Sequence, residues 1–159
     1  MQFDHEKLDV YQAELQFIAW VTQLFGEIGE IKGKRLSEVC DQLDRASLSA
    51  LLNTAEGNGK RQRLVRAKFL DDARGSATEC AACLDALVAK GCCTIGRIDA
   101  GKGILLRIVG MLSKLVQKFE DDSSSSSVFR EEASLYNAAN QGDAQPRKRK
   151  RNKMGDMSF

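Results

Sequence analysis

Residues 42–87 read QLDRASLSALLNTAEGNGKRQRLVRAKFLDDARGSATECAACLDAL. The stretch predicts two helices joined at a glycine corner. Leu36, Val39, Cys40, Leu43, Ala46, Ser47, Ala50, Leu51 and Thr54 recur at helical spacing and define one buried stripe of a helix from about Leu36 to Ala55. Gly57 and Gly59 are then expected to stop it, as glycine does at C-terminal caps. A second helix, about Lys60 to Lys90, buries Val65, Phe69, Ala73, Ala77, Cys80, Leu84 and Leu87. Gly75 within it costs about 1 kcal/mol against alanine, so close packing of the two helices is the expected reason for Gly75-Ser76.

Toward the N-terminus, the segment from about Glu6 to Phe25 is a helix with two apolar stripes. Leu8, Tyr11, Leu15, Ile18, Thr22 and Phe25 make one, and Val10, Ala13, Phe17, Trp20, Val21 and Leu24 the other. With the first stripe directed to the core, Val10, Phe17, Trp20, Val21 and Leu24 form an outward patch and the expected oligomer interface. The competing reading makes this helix central and covers both stripes with the chain itself. Gly26 to Arg35 reads as a loop, Gly91 to Thr94 as a break, and Ile95 to Glu120 as a fourth helix. Four helices with short connections predict an all-α fold, an antiparallel up-down four-helix bundle over residues 1–122. Residues 123–159 hold five consecutive serines, a weak helical segment near Val128 to Ala139 and a basic run. They are expected to form a disordered C-terminal tail, flexible, Ser-rich and basic.

Composition supports this division. The chain has 159 residues, 43% of them hydrophobic, and a single proline. That is enough for one core without crosslinks. The net charge of +2 is unevenly spread, because Met1 to Asp122 carries 17 basic and 18 acidic residues. No run approaches the roughly 18 apolar residues of a membrane span, and the acidic N-terminus does not resemble a signal peptide, so no membrane partner and a cytoplasmic location are expected. Five cysteines are an odd number, which suits a reducing compartment. Cys80-x-x-Cys83 has the spacing of a zinc half-site, but no second half-site completes it, and Cys80 lies on an apolar stripe where free cysteine behaves as a small hydrophobe. No metal and no cofactor are expected.

Asn53, Glu56 and Glu79 are the conspicuous polar residues. An acid/base or cation site is one reading. The other is structural: Asn53 and Glu56 bond the helix end and its loop, and Glu79 pairs with Arg45 or Arg74. The only histidine is His5 and no Ser/His/Asp grouping exists, so no catalytic residue is assigned and the protein is expected not to be an enzyme. Gly57-Asn58-Gly59-Lys60 lacks the ending and preceding strand of a phosphate loop.

Basic residues give the functional lead. Lys60, Arg63 and Arg74 share one side of the third helix, and Arg107, Lys114 and Lys118 share the outward side of the fourth. Such stripes are commonly plain solvated faces; repeated around an oligomer they would build a positive field. The tail adds Arg147, Lys148, Arg149, Lys150, Arg151 and Lys153, a cluster suited to nucleic acid, with RNA favoured, or to another polyanion. With few aromatics in the tail, binding is expected to be electrostatic and weakly sequence-specific.

Several segments together resemble one bacterial family, the 23S rRNA intervening-sequence proteins, which is similar in fold to the accessory variability proteins of diversity-generating retroelements. They are Leu8-Asp9-Val10-Tyr11-Gln12, Gln42-Leu43 with Arg45-Ala46, Asn53-Thr54-Ala55-Glu56-Gly57 with Gly59, and Phe69 followed by Ala73-Arg74-Gly75-Ser76-Ala77-Thr78-Glu79. The resemblance covers about residues 6 to 119. It implies a four-helix bundle, a homopentameric ring and no established enzymatic activity, and it suggests a reverse transcriptase as an alternative partner for a structural scaffold. The chain departs from the pattern at Leu51, where many members carry proline, and at Thr54, where isoleucine is usual.

Overall fold

The structure, a computed structural model, describes the backbone of residues 1–28 and 34–141 and the side chains of residues 1–28 and 36–121. A 3₁₀ turn, Asp4–Lys7, precedes α1 (Asp9–Ile28), α2 (Lys34–Gly59), α3 (Arg63–Ala89) and α4 (Ile95–Gln141). The chain divides into two units, Met1–Ser124 and Ser125–Phe159. In the first, four helices form an antiparallel up-down bundle.

Side-chain contacts fix the register of each pair. Glu14 of α1 meets Thr54 of α2, and Gln42, Ser49 and Gly57 of α2 meet Glu79, Ser76 and Phe69 of α3 in descending order. Lys102 of α4 bonds Asp85 of α3, while further along Phe119 lies under Arg66. Arg97 bonds Glu27 near the end of α1, and Lys114 lies beside Lys7 and Leu8 at its start. Each helix therefore runs against its neighbour.

The core is built from stripes of all four helices. Leu24, Leu43, Leu84, Leu87 and Leu112 are fully enclosed, with Phe17, Leu70, Ile98, Leu105 and Ile108 nearly so. Ala73, Ala77 and Cys80, all at 0% exposure, keep α3 close to its neighbours. Cys80 fills the core as a small hydrophobe, as its place on the apolar stripe predicts.

On α1 the stripe assignment is reversed. Val10, Phe17, Val21 and Leu24 are buried in the chain's own core, together with Ala13 and Ile28. Trp20 is half-buried, stacks on Phe17 at 5.8 Å and lies against Gly101 of α4, with the Arg97 guanidinium over its ring at 5.3 Å. These five residues are thus not an outward patch. The outward stripe holds Leu15, exposed to 40%, and the half-buried Tyr11 and Ile18. The inner stripe is apolar at Val10, Ala13, Phe17, Trp20, Val21 and Leu24, whereas the outer one is interrupted by Tyr11 and by the exposed Thr22, whose hydroxyl bonds Ile18 O.

Helix ends follow local chemistry. Gly91 has φ +72°, the left-handed value that an L side chain resists. There Cys92 N–H donates to Leu87 O and Gly91 N–H to Val88 O, both at 2.9 Å, which completes the α3 C-terminus. The end of α2 is different. Gly57 does not stop the helix, which continues to Gly59; instead a Cβ at 57 would lie 2.9 Å from Phe69 Cβ. Its role is the close α2–α3 crossing. Arg66 supplies the cap from α3, its guanidinium donating to Asn58 O and Lys60 O at 2.8 Å.

Gly75 is exposed, and a Cβ at this position would meet nothing within 4 Å, so close packing does not explain it. Ser76 makes the contact, its hydroxyl 2.9 Å from that of Ser49. The backbone also remains helical past the Glu120 end expected for the fourth helix, through to Gln141. It thereby includes the segment Val128 to Ala139, where glutamate, alanine and leucine favour helix.

Candidate functional site

The outward face of α4 gathers the basic residues most completely. Arg107, Lys114 and Lys118 fall within about 40° of one another around the helix axis at 100° per residue, and all three are exposed. Among the described residues none forms an ion pair with them. Gly103 and Gly110 lie on the same face with open space around them, so no bulky neighbour screens the row. Among the described residues the other cations of this helix serve the fold: Arg97 forms two bonds to Glu27, at 2.5 and 2.7 Å, and Lys102 is held by Asp85.

The row expected on the third helix is weaker, and its Lys60 lies in the α2–α3 connection, short of the start of α3 at Arg63. Lys60 pairs with Glu56 at 2.8 Å and lies over the Phe69 ring, and Arg74 pairs with Asp71 at 2.6 Å. Arg63 is exposed at the start of α3, and the exposed Asp71 and Asp72 interrupt that surface. The two rows therefore differ in field: from Arg107 to Lys118 the α4 helix itself carries no carboxylate, and the adjoining ones are Asp9, in the groove beside Lys114, and Asp121, one turn beyond Lys118. Arg147, Lys148, Arg149, Lys150, Arg151 and Lys153 lie outside the described residues.

Lys7 is a basic residue that sequence reading missed. With Leu8, Asp9, Val10, Met111, Lys114 and Leu115 it lines a groove of about 310 Å³ between the start of α1 and α4. Lys7 is 60% exposed and bonds Asp4 at 2.9 Å. The antiparallel order of α1 and α4 brings Lys7 to Lys114, and that order was available from the bundle topology.

The conspicuous polar residues do not converge on one centre. Asn53 donates to Ser49 Oγ at 3.2 Å, Glu56 takes Lys60, and Glu79 accepts from Gln42 Nε2 at 2.5 Å while Arg45 donates to the same Gln42. They form a polar seam along α2 and α3. Glu79 thus meets Arg45 through Gln42, not directly. Among the described residues no three His, Cys, Asp or Glu side chains are grouped to hold a metal ion. The five cysteines are free thiols; burial pushes Cys80 up to about 12 and raises Cys40, Cys83 and Cys93 as well, which suppresses thiolate reactivity.

Glu14 was also missed. Its residue exposure is 2%, Oε1 accepts from Thr54 Oγ1 at 2.7 Å, and Oε2 is buried without a partner among the described residues. Desolvation pushes its carboxyl from 4.5 up to about 8, against a smaller lowering by the Thr54 hydroxyl. The signal was present in the sequence: Glu14 falls four residues after Val10 and three before Phe17, inside the buried stripe. Counting only apolar residues hid it.

No curated protein matches the chain. A family model described as 23S rRNA-intervening sequence protein matches residues 6–114, which span the 3₁₀ turn's end, α1 to α3 and most of the bundle part of α4. The chain belongs to the 23S rRNA-intervening sequence protein family.

Proposed function

We propose that this protein is a non-enzymatic, oligomeric helical-bundle protein that binds RNA electrostatically through the outward face of α4 and the basic cluster at residues 147–153. The observation that supports this most is the row Arg107, Lys114 and Lys118, exposed and without an ion pair among the described residues. Each phosphate neutralised by such a row releases condensed counterions, so three aligned cations per protomer act together once protomers assemble. The family's name concerns intervening sequences of 23S rRNA, which makes RNA the first polyanion to test. Among the described residues no helix is long and apolar enough to cross a membrane.

Self-association is supported by apolar surface on α1 and α2. Leu15, Leu48 and Leu52 are exposed to 40%, 43% and 64%. On helical geometry Leu15 and Ile18 lie beyond Glu14, and Leu48 and Leu51 beyond Thr54, so they border one α1–α2 edge. A homopentamer, as the resemblance implies, would cover that edge. The same leucines also suit a protein partner, and a scaffold for a reverse transcriptase is the second reading; co-purification of a protein without RNA would favour it.

The binding reading is tested by fluorescence anisotropy of a labelled RNA hairpin with the full chain. Reversing Arg107→Glu, Lys114→Glu and Lys118→Glu together is expected to weaken binding about tenfold or more. Unchanged affinity in the folded variant would remove α4 from the interface.

A further inference from the structure

Glu14 is the one acidic side chain enclosed in the described core, and its only described side-chain partner belongs to another helix. Its Oε1 accepts the Thr54 hydroxyl bond at 2.7 Å, joining the second turn of α1 to the last turns of α2. Its Oε2 is sealed from solvent and unpartnered among the described residues. The surroundings are apolar: Val10, Ala13 and Phe17 on its own helix are each 2% or 3% exposed, and Thr54 is fully buried. Charged groups of the neighbouring elements are turned elsewhere. In the 3₁₀ turn, which packs on both α1 and α2, Lys7 bonds Asp4 and Glu6 accepts the Phe3 N–H; Glu56 of α2 bonds Lys60 just past that helix; on α3, Arg66 is held by the carbonyls of Asn58 and Lys60; on α4, Arg107, Lys114 and Lys118 face outward. The carboxyl's ionisation is set by burial and the Thr54 hydroxyl, with no charged side chain among the described residues acting on it.

We propose that Glu14 and Thr54 form a protonation latch between α1 and α2: the bundle closes around the neutral acid, and release of that proton to solvent loosens α1 from α2. In the closed form Oε2 carries the proton and Oε1 receives the Thr54 hydroxyl. A carboxylate there would retain one hydrogen bond and no counter-charge, an arrangement that an apolar interior strongly disfavours. Because the proton is held more tightly in the folded chain than in the unfolded one, this contribution to stability is complete below the unfolded carboxyl value. It then falls as pH rises, until the folded value near 8 is passed. Thr54 stands where the family resemblance leads one to expect isoleucine, so this chain carries the hydroxyl that the latch requires.

The test is urea unfolding of the full chain at pH 5 and pH 8.5, followed by the fluorescence of its single tryptophan, Trp20 on α1. The upper limit keeps the buried thiols largely protonated. The unfolding equilibrium constant is expected to rise roughly several hundredfold between the two conditions, and to rise far less in Glu14→Gln. Equal pH dependence in the two proteins would overturn the latch. A direct measurement covers the case in which Glu14→Gln does not fold: carbon-13 NMR of the glutamate carboxyls in the unaltered chain. One carboxyl is expected to remain protonated at pH 6.5, and Thr54→Val is expected to shift its midpoint upward. A Glu14 carboxyl already ionised at pH 6.5 would refute the proposal.

Discussion

Phe17→Asp is expected to unfold the protein, not merely to dissociate an assembly. Phe17 is 2% exposed and stacks with Trp20, which in turn covers Gly101 of α4. Truncating a buried phenylalanine costs about 3–5 kcal/mol, and the carboxylate would enter the same site without a counter-charge. The total approaches the about 5–15 kcal/mol that holds a typical domain together. Circular dichroism should show loss of the cooperative helical melting transition. The surface variant Leu48→Asp with Leu52→Asp is expected to do the opposite, keeping that transition while light scattering reports a smaller mass. A folded Phe17→Asp protein would contradict the placement of this stripe in the core.

The second large effect is expected at the α2–α3 crossing. In Gly57→Leu the new Cβ would be forced to within 2.9 Å of Phe69 Cβ and 3.4 Å of Arg66 O. Backbone and a Cβ cannot swing aside as the tip of a long side chain can, so the helices must part. A destabilisation of about 3 kcal/mol is expected, at the upper end of typical overpacking costs. Separating them would also weaken the Arg66 cap on α2, because Arg66 lies one turn before the crowded Phe69. Gly75→Ala supplies the contrast, with a gain of about 0.5–1 kcal/mol, since the helix position is open and alanine is the better helix former. Thermal or urea denaturation of the three chains checks both signs, and a destabilised Gly75→Ala would show that Gly75 meets something beyond the bundle.

Much of this fold was legible in the sequence, for reasons that also explain the misses. Leu43, Ala46 and Ala50 on α2, with Ala73, Ala77, Cys80, Leu84 and Leu87 on α3, repeat with the period of a helix face, and each is buried. Periodicity identifies a stripe but does not say which of two apolar stripes turns inward, and α1 has two. The stripe that turned inward is, Glu14 apart, the one without polar interruption, while the other carries Tyr11 and Thr22. Glycines posed a related problem. Gly57 and Gly75 carry the same local preference, yet one sits against Phe69 and the other in open space, a difference made by the neighbouring helix alone.

The candidate interface was legible to the same extent. The α4 row could be read from its spacing because an exposed helix face needs no knowledge of a partner. Pairing could not: Asp71 beside Arg74 and Glu56 beside Lys60 lower the net charge of the α3 row once rotamers place them together. Glu14 shows the converse case. A charged residue in an apolar stripe is neutral where burial outweighs ionisation, so formal charge misdescribes it.

Electrostatic RNA binding is tested most directly by the salt dependence of affinity. Anisotropy titrations of the full chain with an RNA hairpin, repeated from 50 to 200 mM salt at neutral pH, give the slope of log affinity against log salt. If the three α4 cations alone contact phosphates, the slope is about −2 to −3, a loss of roughly thirtyfold across that range, and the basic cluster at 147–153 makes it steeper. Affinity unchanged over the range, or no binding at 50 mM, would contradict electrostatic RNA binding.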